Sequence, residues 1–194
     1  LDESGESGLA LANPISSEWL HMRRSLVPNL LKIAGENRRY FGAFKLFEIG
    51  RVFEEVQSGL GAQPRRLGWI GIYEGVPTPA ERYLIEQRAH VTRFLETLNY
   101  QNYRFVAGVQ GFDYEARWMH PNRSLTIEVN GKAVGYLGTL HPKTARRFEN
   151  LGSQVWLGEL ELDAIAQPQE TVALFKALPK YPAIPFDLSL EVPL

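Results

Sequence analysis

The chain of 194 residues contains no cysteine, which excludes a disulfide framework, a thiolate zinc site and a cysteine nucleophile. It also lacks an excess of either charge: 21 Lys and Arg stand against 22 Asp and Glu, a formal net charge of -1. That balance argues against a general nucleic-acid binder, whose affinity needs a concentrated basic surface. Positive charge is only local, at Arg23, Arg24, Arg38 and Arg39 and again at Arg146 and Arg147. No apolar run approaches the roughly 20 residues of a membrane span, and no targeting leader is visible. Several motifs are missing as well. No H-E-x-x-H pair, Walker lysine or G-x-S-x-G elbow occurs, and Gly59-Leu60-Gly61-Ala62-Gln63-Pro64 puts proline where a dinucleotide fingerprint needs its last glycine. What is present is 44% hydrophobic residues, enough for one substantial core. The expectation is a soluble, cytoplasmic domain without a membrane partner.

Periodicity predicts the elements. A helix is expected from Ser25 to Tyr40, capped by Ser25, with Pro28 in its first turn and an apolar stripe of Val27, Leu30, Leu31 and Ala34. Lys45 to Glu54 reads as a strand dense enough in apolar residues for a central position, and Leu67 to Tyr73 as its antiparallel neighbour. Glu81 to Leu98 is the clearest helix, with Leu84, Val91, Phe94, Leu95 and Leu98 on one face. A strand at Tyr100 to Gly108 precedes a hairpin over Ser124 to Leu140, turning at Asn130-Gly131 in a type I-prime geometry that pairs Val129 with Lys132, Ile127 with Val134 and Leu125 with Tyr136. Pro142 opens a short helix that Gly152 would end, and Val155 to Leu162 is the last strand. The fold class is therefore α+β, a mainly antiparallel sheet flanked by helices.

Candidate chemistry is thin. His120 and His141 each precede proline, where a ring nitrogen caps or bonds a turn; His90 sits on a helix, and His21 carries no motif. Glu159, Glu161 and Asp163 alternate, so all three could project from one strand face as a magnesium site; the plainer reading is a solvated outer face opposite Trp156, Leu160 and Leu162. No residue is assigned as catalytic, cofactor-binding or metal-ligating. A rival reading is a stand-alone ligand-binding or acyl-transfer enzyme that uses Glu159, Glu161 and Arg51 as its polar groups.

Four phrases in order carry a resemblance: Asn13-Pro14-Ile15-Ser16-Ser17-Glu18; Arg23-Arg24-Ser25-Leu26-Val27-Pro28-Asn29-Leu30-Leu31 with Leu46-Phe47-Glu48-Ile49-Gly50-Arg51-Val52-Phe53; Met119-His120-Pro121-Asn122-Arg123-Ser124; and the hairpin from Glu128 to Gly138 with Leu140-His141-Pro142. In wording and order they resemble the bacterial-type phenylalanyl-tRNA synthetase beta subunit, in its class II synthetase-like core. The resemblance runs from about Leu11 to the C-terminus. It implies a flexible segment at 1–10, a core domain at 11–176, and at 177–194 the start of a ferredoxin-like anticodon-binding domain, opened by Lys180-Tyr181-Pro182-Ala183-Ile184. Where such a phrase usually carries arginines, Ile184, Pro185 and Phe186 stand here.

The resemblance also implies a function. Class II synthetases carry an arginine in an F-R-x-E pattern on the strand equivalent to Phe47–Arg51, where its planar fork grips ATP phosphate. Here Glu48 follows Phe47, and Arg51 lies three residues on, so it points to the other strand face. No G-x-G-x-x-R-like segment follows in the C-terminal part. The implied role is a catalytically silent scaffold in an alpha-beta heterotetramer. The alpha subunit would bind ATP and phenylalanine, the editing and magnesium sites would lie in other beta domains, and tRNA would be met through the parent complex. Helices equivalent to Ser25–Tyr40 would hold alpha subunits. Without them the helix from Ser25 to Tyr40 and the strand near Leu188–Val192 would leave apolar surface for a weak homodimer.

Overall fold

The computed structural model describes residues 9–13, 21–54, 61–73, 80–148, 151 and 155–165. A six-stranded antiparallel sheet forms its centre, in the order β1-β2-β6-β5-β4-β3. The elements run α1 (Val27–Asn37), β1 (Phe44–Arg51), β2 (Arg65–Ile72), α2 (Ala80–Thr97), β3 (Tyr103–Ala107), α3 (Asp113–Ala116), β4 (Met119–Val129), β5 (Lys132–Leu140), α4 (Pro142–Ala145), β6 (Val155–Glu161) and α5 (Leu162–Ile165). The α+β architecture is the one the periodicity predicts. The single-turn helices α3 and α5 are additions that a four-residue pattern is too short to announce.

Strand alternation divides the core in two. Ile70, Ile72, Val155, Leu157 and Tyr136 pack with Leu26, Val27, Leu30, Leu31 and Ala34 in one cluster, which makes the face covered by α1. Ile127, Val129, Leu137 and Leu160 pack with Val91 and Leu95 in the other, the face covered by α2. Helix α1 buries the predicted stripe of Val27, Leu30, Leu31 and Ala34 and carries Pro28 in its first turn. Leu30 is only 3% exposed, so the free apolar surface expected along this helix does not include it. The sheet consumes that stripe, and what α1 and the turn after it leave exposed is Ile33, Tyr40 and Phe41. The proposed second self-association surface near Leu188–Val192, the 177–194 boundary, most of the 1–10 segment, Pro14–Glu18 and Gly152 lie outside the described residues.

Two strand assignments change places. The strand expected to be central is the edge strand β1, whose exposure alternates strictly, with Phe47 74% and Ile49 60% exposed. Strand β6, expected to have a solvated face, lies between β2 and β5 with both faces covered. Apolar density marks a strand that packs on something; it does not say whether another strand pairs on each side.

The hairpin turns at Asn130 and Gly131, with φ of 51° and 78°, as a type I-prime turn requires. Val129 pairs with Lys132 as expected, but a bulge between Glu128 and Ile127 then shifts the register. Ile127 faces Gly135, Thr126 faces Tyr136 and Leu125 faces Leu137. Strict alternation would put Val134 and Tyr136 on one face; the bulge sends Val134 to the α2 cluster and Tyr136 to the α1 cluster.

Candidate functional site

On the α1 face, three charged residues meet out of contact with bulk water. Arg66 on β2 is 6% exposed, Glu115 on α3 4% and Glu159 on β6 1%. Arg66 Nη1 lies 2.7 Å from Glu115 Oε1 and 3.3 Å from Glu159 Oε2. Glu159 Oε2 also accepts from Tyr136 OH at 2.8 Å and from Ser25 Oγ at 2.9 Å, while Glu159 Oε1 accepts the Leu26 N–H. The N-terminus of α1 is therefore capped in two ways. Ser25 Oγ takes the Val27 N–H, and the next orphan donor goes to a carboxylate 133 residues away in sequence.

Two carboxylates around one guanidinium leave the cluster short of positive charge, and the helix N-terminus supplies part of it. Burial pushes the Glu159 carboxyl above its ordinary range, against the pull of Arg66 and the Leu26 N–H. Burial also raises the Tyr136 phenol, and the neighbouring carboxylates add to that. For Arg66 burial works the other way, but Glu159 and Glu115 outweigh it and hold the guanidinium above its usual value. Arg66 Nε finds no partner among the described residues. Both oxygens of Glu159 are engaged, so the cluster joins β2, β5, β6, α3 and α1 and leaves Glu159 no free oxygen for a substrate.

The α2 face is different. A cavity of ≈ 450 Å³ lies between β1–β2 and α2, lined chiefly by Phe47, Ile49, Trp69, Tyr73, His90 and Phe94. Its polar groups sit at one side, where Lys45 Nζ lies 2.6 Å from Glu86 Oε1, and Trp69 Nε1 donates to Gln87 Oε1 at 2.9 Å. The hydrogen bond between them raises the Lys45 ammonium and lowers the Glu86 carboxyl.

Glu48, in the place where the resembled pattern carries arginine, is on the α1 side of β1 and accepts from Arg23 Nη1. Arg51 projects to the other side, and its Nη1 donates to Gln63 O at 2.9 Å.

The comparisons follow this geometry. A family model described as the phenylalanyl tRNA synthetase beta chain CLM domain matches residues 1–162. The chain belongs to this family. It is 33% identical to the phenylalanine–tRNA ligase beta subunit of Ralstonia nicotianae over 95% of the chain and 23% of that protein. It is 31% identical to the Synechocystis beta subunit over 97% of the chain and 24% of that protein, and 30% identical to a Staphylococcus epidermidis one over 96% and 23%. The chain thus spans under a quarter of the length of these relatives. Among solved structures, pyrrolysyl-tRNA synthetase from Desulfitobacterium hafniense superimposes with a TM-score of 0.54 at 14% identity, covering 74% of this chain and 48% of that one. That likeness gives the class II synthetase fold.

In this CLM domain the alternating acids Glu159, Glu161 and Asp163 do not share a solvated face. Glu159 is in the cluster, Glu161 is half-buried, and Asp163 has left the strand for α5, where it binds Arg65 at 2.8 Å. The physical reason is position: a strand flanked on both sides and covered on both faces has no outer surface to give a carboxylate. His141 caps α4, its Nδ1 accepting the Lys143 N–H at 3.1 Å, and His120 Nδ1 accepts the Asn122 N–H at 3.2 Å. Their rings lie 6.1 Å apart, and burial, with Arg123 and His141 nearby, lowers the His120 imidazole. His90 is exposed on α2 at the cavity. Sequence reasoning missed Arg66, Glu115 and Tyr136. The available signal was Arg66 itself, which shares a strand face with Gly68, Ile70 and Ile72 and so is a charge written into an apolar face.

Proposed function

We propose that this CLM domain is a non-catalytic scaffold of a phenylalanine–tRNA ligase beta subunit. It would support assembly with a catalytic alpha subunit, in a cytoplasmic complex that uses ATP and magnesium to charge tRNA. The observation that supports this most is Glu48. A carboxylate tied to Arg23 stands on the strand where amino-acid activation calls for a cation to grip phosphate. The other cations on that strand, Lys45 and Arg51, both point to its other face. The rival enzyme reading needs Glu159, Glu161 and Arg51 to converge. Glu159 is sealed under α1, while Arg51 is exposed on the opposite side of the sheet.

The test is ATP–pyrophosphate exchange by the assembled enzyme carrying Glu48→Gln in the beta subunit. Loss of a group that stabilises the transition state costs about 10²–10³-fold in kcat. A scaffold residue leaves kcat within about threefold of the parent, equivalent to less than about 1 kcal/mol. A hundredfold fall with the complex still assembled overturns the proposal, as does ATP binding by the isolated beta subunit that Arg51→Ala abolishes.

A further inference from the structure

Strand β1 presents Lys45, Phe47, Ile49 and Arg51 on one face, an apolar centre between two cations. Phe47 pairs across the sheet with Trp69, and Ile49 with Leu67, so this strip runs directly into the cavity beneath α2. Two properties point to a polypeptide rather than a small molecule. Phe47 and Ile49 line the cavity yet remain 74% and 60% exposed, so much of their surface faces away from it, and a chain lying along the strand covers both. The cavity behind them, ≈ 450 Å³, is large enough to receive an aromatic or branched side chain as an anchor.

A second copy of the chain is a poor occupant. Antiparallel pairing about a two-fold axis at Glu48 would set Lys45 against Arg51 and Glu48 against its own equivalent, both like-charge contacts. The complementary surface is apolar in its middle and acidic at its ends. Among the described residues Lys45 is paired with Glu86, whereas Arg51 donates to Gln63 O and has Asp163 only within Coulombic reach, so an added carboxylate has more to gain at the Arg51 end.

We infer that the β1 strip and its cavity dock an acidic-flanked apolar segment from elsewhere in the same beta subunit. This rests on the reading of the chain as one domain of a longer subunit. Relatives devote only 23–24% of their length to the matched region. Most of such a polypeptide is tethered beside this surface at high effective concentration, which favours an intramolecular occupant over a separate one.

The test is photo-crosslinking in the full-length beta subunit assembled with alpha. The cross-linker p-benzoylphenylalanine replaces Phe47, and the same reagent at Lys132, exposed beside the hairpin turn, gives the background. Mixed isotope-labelled and unlabelled subunits separate contacts within one chain from contacts between copies. The expected product joins position 47 to a beta-subunit peptide outside these 194 residues that carries an apolar anchor beside Asp or Glu. Arg51→Glu should lower its yield severalfold. A cross-link to the alpha subunit, to a second beta copy or to another part of these 194 residues overturns the inference, as does a yield no higher than at Lys132. None of those outcomes touches the scaffold proposal, which stands or falls on exchange kinetics with Glu48→Gln.

Discussion

The two faces of this sheet are built from alternate residues of the same strands, yet one is closed around charge and the other stays open around apolar side chains. On the α1 face, Arg66, Glu115, Glu159, Tyr136 and Ser25 consume one another's hydrogen-bonding capacity, and α1 lies over them. On the α2 face, Val91 and Leu95 cover the middle of the sheet, but toward β1 the cover stops, leaving Phe47 and Ile49 outside. The difference teaches that the polar residues here are structural and the apolar ones are available. That reverses the usual expectation, in which a polar cluster in a synthetase-like fold marks the chemistry and apolar residues mark the core.

The comparison breaks most easily at Arg66. Replacing it in Arg66→Met leaves two buried carboxylates without their cation, and about 3–5 kcal/mol of stability should be lost in denaturant unfolding. A loss below about 1 kcal/mol would mean that the cluster is wet or mobile in solution. Next, Leu31→Ala tests the packing of the closed face. Leu31 is fully buried on the inner face of α1, and removing it should cost about 2–5 kcal/mol.

Glu159→Gln is milder, because the amide keeps the shape and can still accept from Leu26. It cannot accept from Tyr136, Ser25 and Arg66 in the same way, so about 1–3 kcal/mol should go. The pH dependence sharpens this. The folded state holds a proton on Glu159 more tightly than the unfolded chain does, so the wild type's advantage from this carboxyl is full below about pH 4.5 and declines as pH rises through the folded value. The wild-type-minus-Gln stability difference, followed from about pH 4 to 8, should therefore shrink upward. A difference that grows with pH would show that Arg66 dominates over burial. The smallest effects belong to the open face. Phe47→Ser and Ile49→Thr should each change stability by no more than about 0.5 kcal/mol, since both side chains stay mostly in water on folding. A cost comparable to Leu31→Ala would show that the open face is closed in solution.

How much of this was legible depended on the range of the cause. Helix α1 was readable with its buried stripe because Val27, Leu30, Leu31 and Ala34 repeat locally, and the Asn130-Gly131 turn was readable because it needs positive φ at two adjacent residues. The strand order was not readable, because apolar density in Leu46, Phe47 and Ile49 says nothing about which strands lie on either side. Glu159 was misjudged for the same reason: once β6 is placed between β2 and β5, alternation alone puts it beside Val155 and Leu157 on a covered face. The bulge that turns Tyr136 toward it follows from no local residue signal. The likeness in wording to known beta subunits reached the family correctly where periodicity could give only the fold class.

Strand β6 has a consequence for the order in which this protein can be made. Strands β1 and β2 pair with each other, and β3, β4 and β5 pair in sequence, so each block can assemble as it is synthesised. Only β6 joins them, and it also carries the carboxylate that accepts the Leu26 N–H. With 133 residues between Leu26 and Glu159, synthesis at about 5–20 residues per second leaves the first helix waiting on the order of ten seconds for its cap. During that interval α1 can pack its stripe on Ile70 and Ile72 of β2, but the Leu26 N–H has no carboxylate to meet. The N-terminus of α1 is thus secured by the same strand that, among the described residues, joins the two blocks of the sheet.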